Sequence, residues 1–332
     1  MSAMISEVRY QGRNIVEAMY ANKPAWHKLG NIFDVGGDKA PNSEEAMKLA
    51  HLGWKVLKEE LFLGDGKRAG KFFGLVREDT RNTLNVVKKR YAVLQNTEAF
   101  SFLDSLLMDG IMRYEAAFAL KGGQEVCLLA RMPSVDYVGG TDPMLRYVLL
   151  TMGHGSGAIN ILPTSVRVEC ANLKALALGI GKKRKVVCSV RHTGDLSEKL
   201  TVARQFISQF DAAFTLYKEN AQKLLVGCSP EQRREYLARL FPKPERMTPR
   251  QRSSYDRKVA GVQEAWAAPA QQVAGVKGTW WAMYNAVTAF LDHGKPGRKT
   301  ANFEENRFIK TVSGDLADQK DSALAMALEM AV

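Results

Sequence analysis

Two clusters of cationic side chains are the residues of this sequence best suited to chemistry, and that chemistry is binding to a polyanion. The first cluster is Lys88, Lys89 and Arg90, with the aromatic residue Tyr91 beside it. The second cluster is Lys182, Lys183, Arg184, Lys185 and Arg191. Each cation that neutralises a phosphate releases counterions, so several of them bind a nucleic-acid backbone without reading its sequence. Tyr91 would offer a base a stacking face. Cations on a strand can also simply face solvent, or protect a sheet edge from aggregation, without binding a ligand. This alternative stays open for each cluster.

Two further residues are candidates for contact with phosphate. The glycine-rich segment MGHGSGAIN contains His154, which could hydrogen-bond a phosphate near the backbone amides, although a flexible turn between strands explains the same residues. The segment matches neither of the glycine motifs that bind nucleotides. Arg167 alternates with Val166 and Val168 and therefore lies on the opposite face of a strand from them. It would contact a phosphate or pair with Glu169, which shares its face.

The composition favours a polyanionic partner. The chain has 332 residues, 47 Lys and Arg against 35 Asp and Glu, and a net charge of +12. Such a balance is typical of proteins that bind nucleic acid or anionic membranes. A membrane is the weaker choice, because no run of about 18 apolar residues occurs and charged residues stand where a signal peptide needs an apolar segment. We expect a cytoplasmic protein that binds no membrane.

The sequence predicts no metal site, no cofactor and no catalytic residue. Cys127, Cys170, Cys188 and Cys228 lie far apart and lack the spacing of zinc ligands, and reduced thiols fit the cytoplasm. The Asp residues are scattered, without the clustering that is common in metal-dependent nucleases. No nucleophile motif is present either. Since catalytic groups can converge from distant positions, a metal-dependent nuclease remains an alternative.

The elements that must position these residues follow from periodicity and capping signals. A short helix after Asn42 precedes three strands, which we predict at Val56 to Leu63, Lys71 to Glu78 and Leu84 to Gln95. A helix after Asn96 follows, and then a second β-rich block. A short helix at Ala171 to Leu178 and a basic strand close that block. The rest is helical, starting with a long apolar stripe from Leu196 to Val226.

This order predicts an α+β fold with a largely antiparallel sheet, a β-β-β-α core, a long packing helix and a helical C-terminal region. We divide the chain into an N-terminal arm (residues 1–40), an α+β core with basic strands (41–195) and a helical region that packs on the core (196–332). In the arm, Trp26 and His27 either anchor the segment in a pocket or take part in base stacking or acid-base chemistry.

Several segments resemble one known family. They are PAWHKLG, SEEAMKLAHLGWKV, YAVLQNTEAFSFLDSL, HGSGAINILPTSVRVECANLKALAL and GTWWAMYNAVTAFLDH. In this order they are similar to a phage/plasmid-like family described as a domain of unknown function, from about residue 20 to the C-terminus. The resemblance implies residence on a mobile element but no particular reaction.

The order of three strands and a helix is similar, in topology alone, to phage single-strand annealing proteins of the Erf and RecT types. That resemblance implies a basic groove, assembly of protomers into rings or filaments, and pairing of complementary strands. We therefore expect binding and annealing of single-stranded DNA, with RNA or duplex DNA as other possible partners. The alternatives are the nuclease, which would cleave with a metal, and a non-enzymatic regulatory protein whose basic face meets an acidic protein.

Overall fold

The computed structural model describes most of the chain and shows the predicted α+β fold. The described residues are 7–10, 13–21, 31–33, 41–107, 112–155, 158–167, 172–175, 188–191, 196–243, 245–294, 310–311 and 314–332. The strands in these ranges are β1 (Glu7–Tyr10), β2 (Arg13–Val16), β3 (Ala18–Ala21), β4 (Asn31–Phe33), β5 (Val56–Phe62), β6 (Arg68–Arg77), β7 (Thr83–Lys88), β8 (Arg113–Leu120), β9 (Glu125–Val138), β10 (Asp142–Gly153), β11 (Ala158–Arg167), β12 (Asn172–Ala175) and β13 (Cys188–Arg191). The helices are α1 (Ser43–Leu49), α2 (Asn96–Leu107), α3 (Leu196–Lys223), α4 (Pro230–Leu240), α5 (Pro249–Ala267), α6 (Trp280–Ala289) and α7 (Asp315–Met330).

The main sheet has the order β12-β11-β10-β9-β8-β3-β4, and β13 also pairs with β11. Its pairs are antiparallel except for β3 and β4, which are parallel. The central strands are buried on both faces, which explains their nearly continuous apolar sequence. Leu128 and Leu150 belong to one hydrophobic cluster, whereas the neighbouring Leu129 and Leu149 belong to the cluster on the opposite face.

A separate antiparallel sheet is formed by β5, β6 and β7, and α2 follows it. This is the predicted β-β-β-α order. One face of the sheet contributes Val56, Leu75 and Val87 to the larger hydrophobic cluster. The third strand is shorter than predicted, since β7 ends at Lys88 and a turn begins at Lys89.

Part of the predicted N-terminal arm belongs to the main sheet. Strand β3 lies between β8 and β4, and its residues, such as Ala18 and Met19, are fully buried. Trp26 and His27 lie outside the described residues. Residues 18–21 therefore contribute to the core, which the apolar run AMYA, too short for a clear period, did not reveal.

The helices begin at the capping signals that the sequence contains. Asn42, Ser229 and Thr248 each form a capping box with the residue three positions later. The long helix predicted from the apolar stripe after Leu196 is α3. Helix α6 is buried from Trp280 to Thr288. The helix predicted at Ala171 to Leu178 is wrong, because residues 172–175 form β12 on the edge of β11.

Candidate nucleic-acid interface

The outer end of the three-stranded sheet exposes apolar and cationic side chains together. Phe62, Phe72 and Val86 have exposed fractions of 59%, 48% and 51%. Phe72 lies directly opposite Lys88 in the pairing of β6 with β7, which places an aromatic ring and an ammonium group on one face. We call Phe62, Phe72, Val86, Lys71, Lys88, Lys89 and Arg90 the hairpin patch.

The four cations of the hairpin patch are exposed and lack acidic partners in the described part of the chain. Among the described residues, no carboxylate forms an ion pair with Lys71, Lys88, Lys89 or Arg90. Other cations of the same sheet are paired: Lys67 with Asp65 at 3.1 Å, Arg68 with Glu60 at 2.9 Å, and Arg81 with Glu59 at 2.8 Å. The positive charge of the hairpin patch is therefore available to an external anion.

Lys58 positions the cationic turn that follows β7. Its ammonium group donates to the carbonyl of Lys89 at 2.6 Å and to the carbonyl of Tyr91 at 2.8 Å. The backbone N–H of Lys89 donates to the carbonyl of Lys71 at 3.0 Å. These bonds fix the backbone from which Lys89 and Arg90 project, although Lys89 and Arg90 lie in a turn and not on the predicted strand.

Tyr91 is half-buried and packs against the main hydrophobic cluster. Its hydroxyl accepts a hydrogen bond of 2.9 Å from the backbone N–H of Gly155. Packing and hydrogen bonding both restrict the ring, so the exposed rings of Phe72 and Phe62 are better placed for stacking than Tyr91. Phe62 and Phe72 were missed from the sequence. For Phe72 the available signal is the adjacent pair Phe72 and Phe73 within β6, since neighbouring residues of a strand point to opposite faces and one face of this sheet is exposed.

The glycine-rich turn before β11 serves packing. Gly155 has a φ of +113°, and a Cβ built there would lie 2.1 Å from Nδ2 of Asn85. Asn85 Nδ2 in turn donates to the carbonyl of His154 at 3.1 Å. A side chain at position 155 would separate the turn from β7, so glycine is required for this contact.

The interpretation of His154 as a phosphate contact is wrong, because the side chain is buried. Its Nε2 lies 3.0 Å from Oδ1 of Asn96, whose Nδ2 donates to the carbonyl of Leu52. This orientation of Asn96 makes Nε2 the protonated nitrogen. Burial, together with the charge of Arg77, lowers the pKa of His154 to about 4. The imidazole is therefore neutral near pH 7.

The interpretation of Arg167 as a phosphate contact is also wrong. The side chain is buried, and its Nε donates to Asp142 Oδ2 at 2.6 Å. Its terminal nitrogens donate to Gln271 Oε1 at 2.8 Å and to the carbonyl of Ala270 at 2.7 Å. Trp281 Nε1 donates to the same oxygen of Asp142 at 2.6 Å. Arg167 thus joins the main sheet to the C-terminal helices.

The second cationic cluster can be placed only in part. Lys182, Lys183, Arg184 and Lys185 lie outside the described residues. The backbone of Arg191 is described at the end of β13, opposite Ala158 of β11. Ala158 follows the turn that holds Gly155, and Gly155 contacts Tyr91 and Asn85. The backbone of Arg191 therefore lies at the end of the main sheet that faces the three-stranded sheet.

A buried ionic network at the inner end of the three-stranded sheet was missed from the sequence. Arg77 has an exposed fraction of 1% and forms two hydrogen bonds with Glu17, at 2.6 and 3.0 Å. It also binds Asp79 through two bonds, at 2.7 and 3.0 Å, and stacks on Trp54 at 4.1 Å. Trp54 Nε1 donates to Glu17 at 3.0 Å. Arg77 is two residues after Leu75 in β6, so both side chains point to the core face. A charged residue at a position that alternation assigns to the core was the available sequence signal.

Neither a metal-binding cluster nor a membrane-spanning helix is observed in the described part of the chain. No group of three His, Cys, Asp or Glu side chains there could hold a metal ion. No helix there is long and apolar enough to cross a membrane.

Comparison with known proteins gives one match. Residues 83–312 match the model of a family described as "Domain of unknown function (DUF932)". This part contains β7 with Lys88, the turn with Lys89 and Arg90, and all elements from α2 to α6. No curated protein and no solved structure matches the chain.

Proposed function

We propose that this chain, which belongs to the family described as domain of unknown function (DUF932), binds single-stranded nucleic acid on the hairpin patch and promotes pairing of complementary strands. The proposal includes assembly of protomers into a ring or filament and residence on a phage or plasmid. The observation that carries it is the outer end of the three-stranded sheet, where four exposed cations, unpaired among the described residues, stand beside exposed aromatic rings.

Charge and aromatic surface together suit a single strand better than a duplex. Lys71, Lys88, Lys89 and Arg90 would neutralise successive phosphates, and each neutralised phosphate releases counterions. Phe72 and Phe62 would stack on bases, which are accessible only when the strand is unpaired. Neutralisation of phosphates and stacking on the face of a base do not depend on which base is present. The binding is therefore expected to be independent of sequence, as annealing requires.

The second cationic cluster would extend this surface. The backbone of Arg191 lies opposite Ala158, at the end of the main sheet that faces the three-stranded sheet. Lys182 to Lys185 precede β13 in the chain, and we keep the expectation that they bind the phosphate backbone. Replacing these four residues with Ala should lower the salt slope of binding by about 0.7 for each phosphate that is no longer neutralised.

A binding and annealing assay tests the proposal. A labelled 30-nucleotide single strand is titrated with protein over a series of salt concentrations, and pairing with its complement is followed without ATP. We expect binding that weakens steeply with salt, pairing faster than that of the free strands, and rings or filaments in electron micrographs. Absence of binding at low salt would overturn the proposal. Cleavage of the strand on addition of a divalent metal ion would overturn it in favour of a nuclease.

A further inference from the structure

A small cleft lies between α4, α5 and α6, in the helical region and not in the hairpin patch. Its floor consists of the buried side chains of Leu237, Val262 and Met283. Its rim contains the polar side chains of Arg233, Arg234 and Gln263. The half-buried ring of Trp266 and Pro230 complete the rim. The cleft volume is about 200 Å³. It therefore combines an apolar interior with a cationic edge.

Arg233 is held in a defined position at this edge. Its guanidinium group stacks on the ring of Trp266 at 4.6 Å and donates to the carbonyl of Cys228 at 3.1 Å. No carboxylate in the described part of the chain forms an ion pair with Arg233. A guanidinium group has five N–H donors, so most donors of Arg233 remain for a ligand. A positioned cation of this kind is suited to bidentate binding of an oxyanion.

Arg234 adds a second positive charge that a ligand could recruit. Its partner is Glu231 at 2.7 Å, and both side chains are well exposed. Exposed ion pairs contribute little free energy, so Arg234 can exchange Glu231 for another carboxylate at small cost. Gln263 supplies an amide that can donate to the same ligand.

The size of the cleft limits the ligand. Pockets that take drug-sized molecules have volumes of about 300–1,000 Å³, so a complete nucleotide would not fit. The apolar floor makes a bare inorganic ion a poor ligand, because Leu237, Val262 and Met283 offer no hydrogen bond to replace the water that the ion would lose on that side. What fits is one planar oxyanion attached to one small apolar group.

We infer that this cleft binds a carboxylate attached to a small aromatic or branched apolar group. The carboxylate would lie on Arg233 and Arg234, and the apolar group would lie on the floor of the cleft. Such a ligand is either a free organic acid or the C-terminal residue of a polypeptide, since the two share this chemistry. The inference is independent of nucleic-acid binding, because the cleft and the hairpin patch share no residue.

Phenylacetate and its neutral isostere phenylacetamide test the inference on the full-length chain. Saturation-transfer NMR should show phenylacetate bound with a dissociation constant of about 1 mM or weaker, as so small a ligand has little surface to bury. Phenylacetamide should bind at least about 10-fold more weakly, because it cannot form the charge-assisted hydrogen bonds. Equal binding of the two compounds, or no phenylacetate signal at about twenty times that concentration, would overturn the inference.

Substitutions place the binding in the cleft. Arg233→Gln should weaken phenylacetate binding about 10-fold, whereas Arg252→Gln, an exposed arginine on α5, should leave it unchanged. Circular dichroism checks that both variants are folded, and Val262→Phe, which fills the floor, provides a second variant that keeps the charge. Equal phenylacetate binding by Arg233→Gln and Arg252→Gln would overturn the inference. A peptide that ends in Phe, tested with a free and an amidated C-terminus, distinguishes the two ligand sources.

Discussion

The two ends of the three-stranded sheet place cations in opposite surroundings. At the inner end, Arg77 is buried and satisfied by Glu17, Asp79 and the ring of Trp54. At the outer end, Lys88 is exposed beside Phe72 and has no acidic partner among the described residues. A buried charge must be paired and hydrogen-bonded, whereas an exposed one costs nothing when it is unpaired. We infer that buried Arg77 stabilises the fold and that the exposed cations of the hairpin patch can be removed without harm to it.

The largest expected effect follows from removal of Arg77. Arg77→Met should lower the free energy of unfolding by about 3–5 kcal/mol, because Glu17 would remain buried without its partner. Urea denaturation measures the change. Arg81→Met, in the turn between β6 and β7, is the matched control, since the Arg81 and Glu59 side chains are exposed and their ion pair is worth about 0–1 kcal/mol. Equal effects of the two substitutions would remove the distinction between the buried and the exposed cation.

The next largest expected effect is on single-strand binding by the hairpin patch, with the free energy of unfolding unchanged. Replacing Lys88, Lys89 and Arg90 with Ala should reduce the log-log salt slope for a single strand by about 2, which is about 100-fold in affinity at 0.1 M salt. The free energy of unfolding should change little, since these side chains are exposed.

Net charge alone could weaken binding, so this experiment needs a variant of equal charge. Replacing Arg250, Arg252 and Arg257 with Ala removes three exposed cations from α5 and lies outside the hairpin patch. This variant should keep the slope of the unmodified protein. If both triple variants show the same reduction in slope, the hairpin patch is not the binding surface.

The third expected effect is a loss of stability on acidification, caused by the buried His154 near the inner end of the three-stranded sheet. The pKa of His154 is about 4 in the folded protein and about 6.5 when unfolded, so between these values the unfolded chain binds more protons. Stability therefore decreases as the pH falls through this window. The contribution of His154 between pH 7 and pH 5 is about 2 kcal/mol.

His154→Gln isolates this contribution, because Gln can still donate to Asn96 but does not titrate. Unfolding free energies of both proteins at several pH values are compared, and titration of the carboxylates is common to both. The variant should be less sensitive to pH between 7 and 5. Identical pH profiles would show that His154 is not held neutral by burial.

The fold was predictable because its signals are local. Capping boxes at Asn42, Ser229 and Thr248 fix helix starts, and alternation with turn residues marks the strands from Val56 onward. The strand β12 was not predicted, since its pairing with the edge of β11 overrides the local helix propensity of the same residues.

The candidate site was predictable only in part, because burial of a cation depends on what the rest of the chain brings to it. Arg167 and Lys88 both lie on strands, yet Asp142 and Gln271 reach Arg167 from 25 and 104 residues away. No pattern within a single strand contains that information. The exposure of Phe72 has the same origin, since nothing in the described chain covers the outer end of its sheet.

The smallest expected effect tests whether the aromatic rings of the hairpin patch contribute to binding beyond the cations. Phe72→Ala should weaken single-strand binding by about 1 kcal/mol, or about 5-fold, because it removes stacking on a half-exposed ring. The salt slope should stay the same, since every cation that neutralises a phosphate is retained. Tyr137→Ala is the matched control, because Tyr137 is 50% exposed and lies on β9 in the main sheet. A changed slope in Phe72→Ala would mean that the ring positions Lys88, and equal weakening in both variants would exclude stacking at this patch.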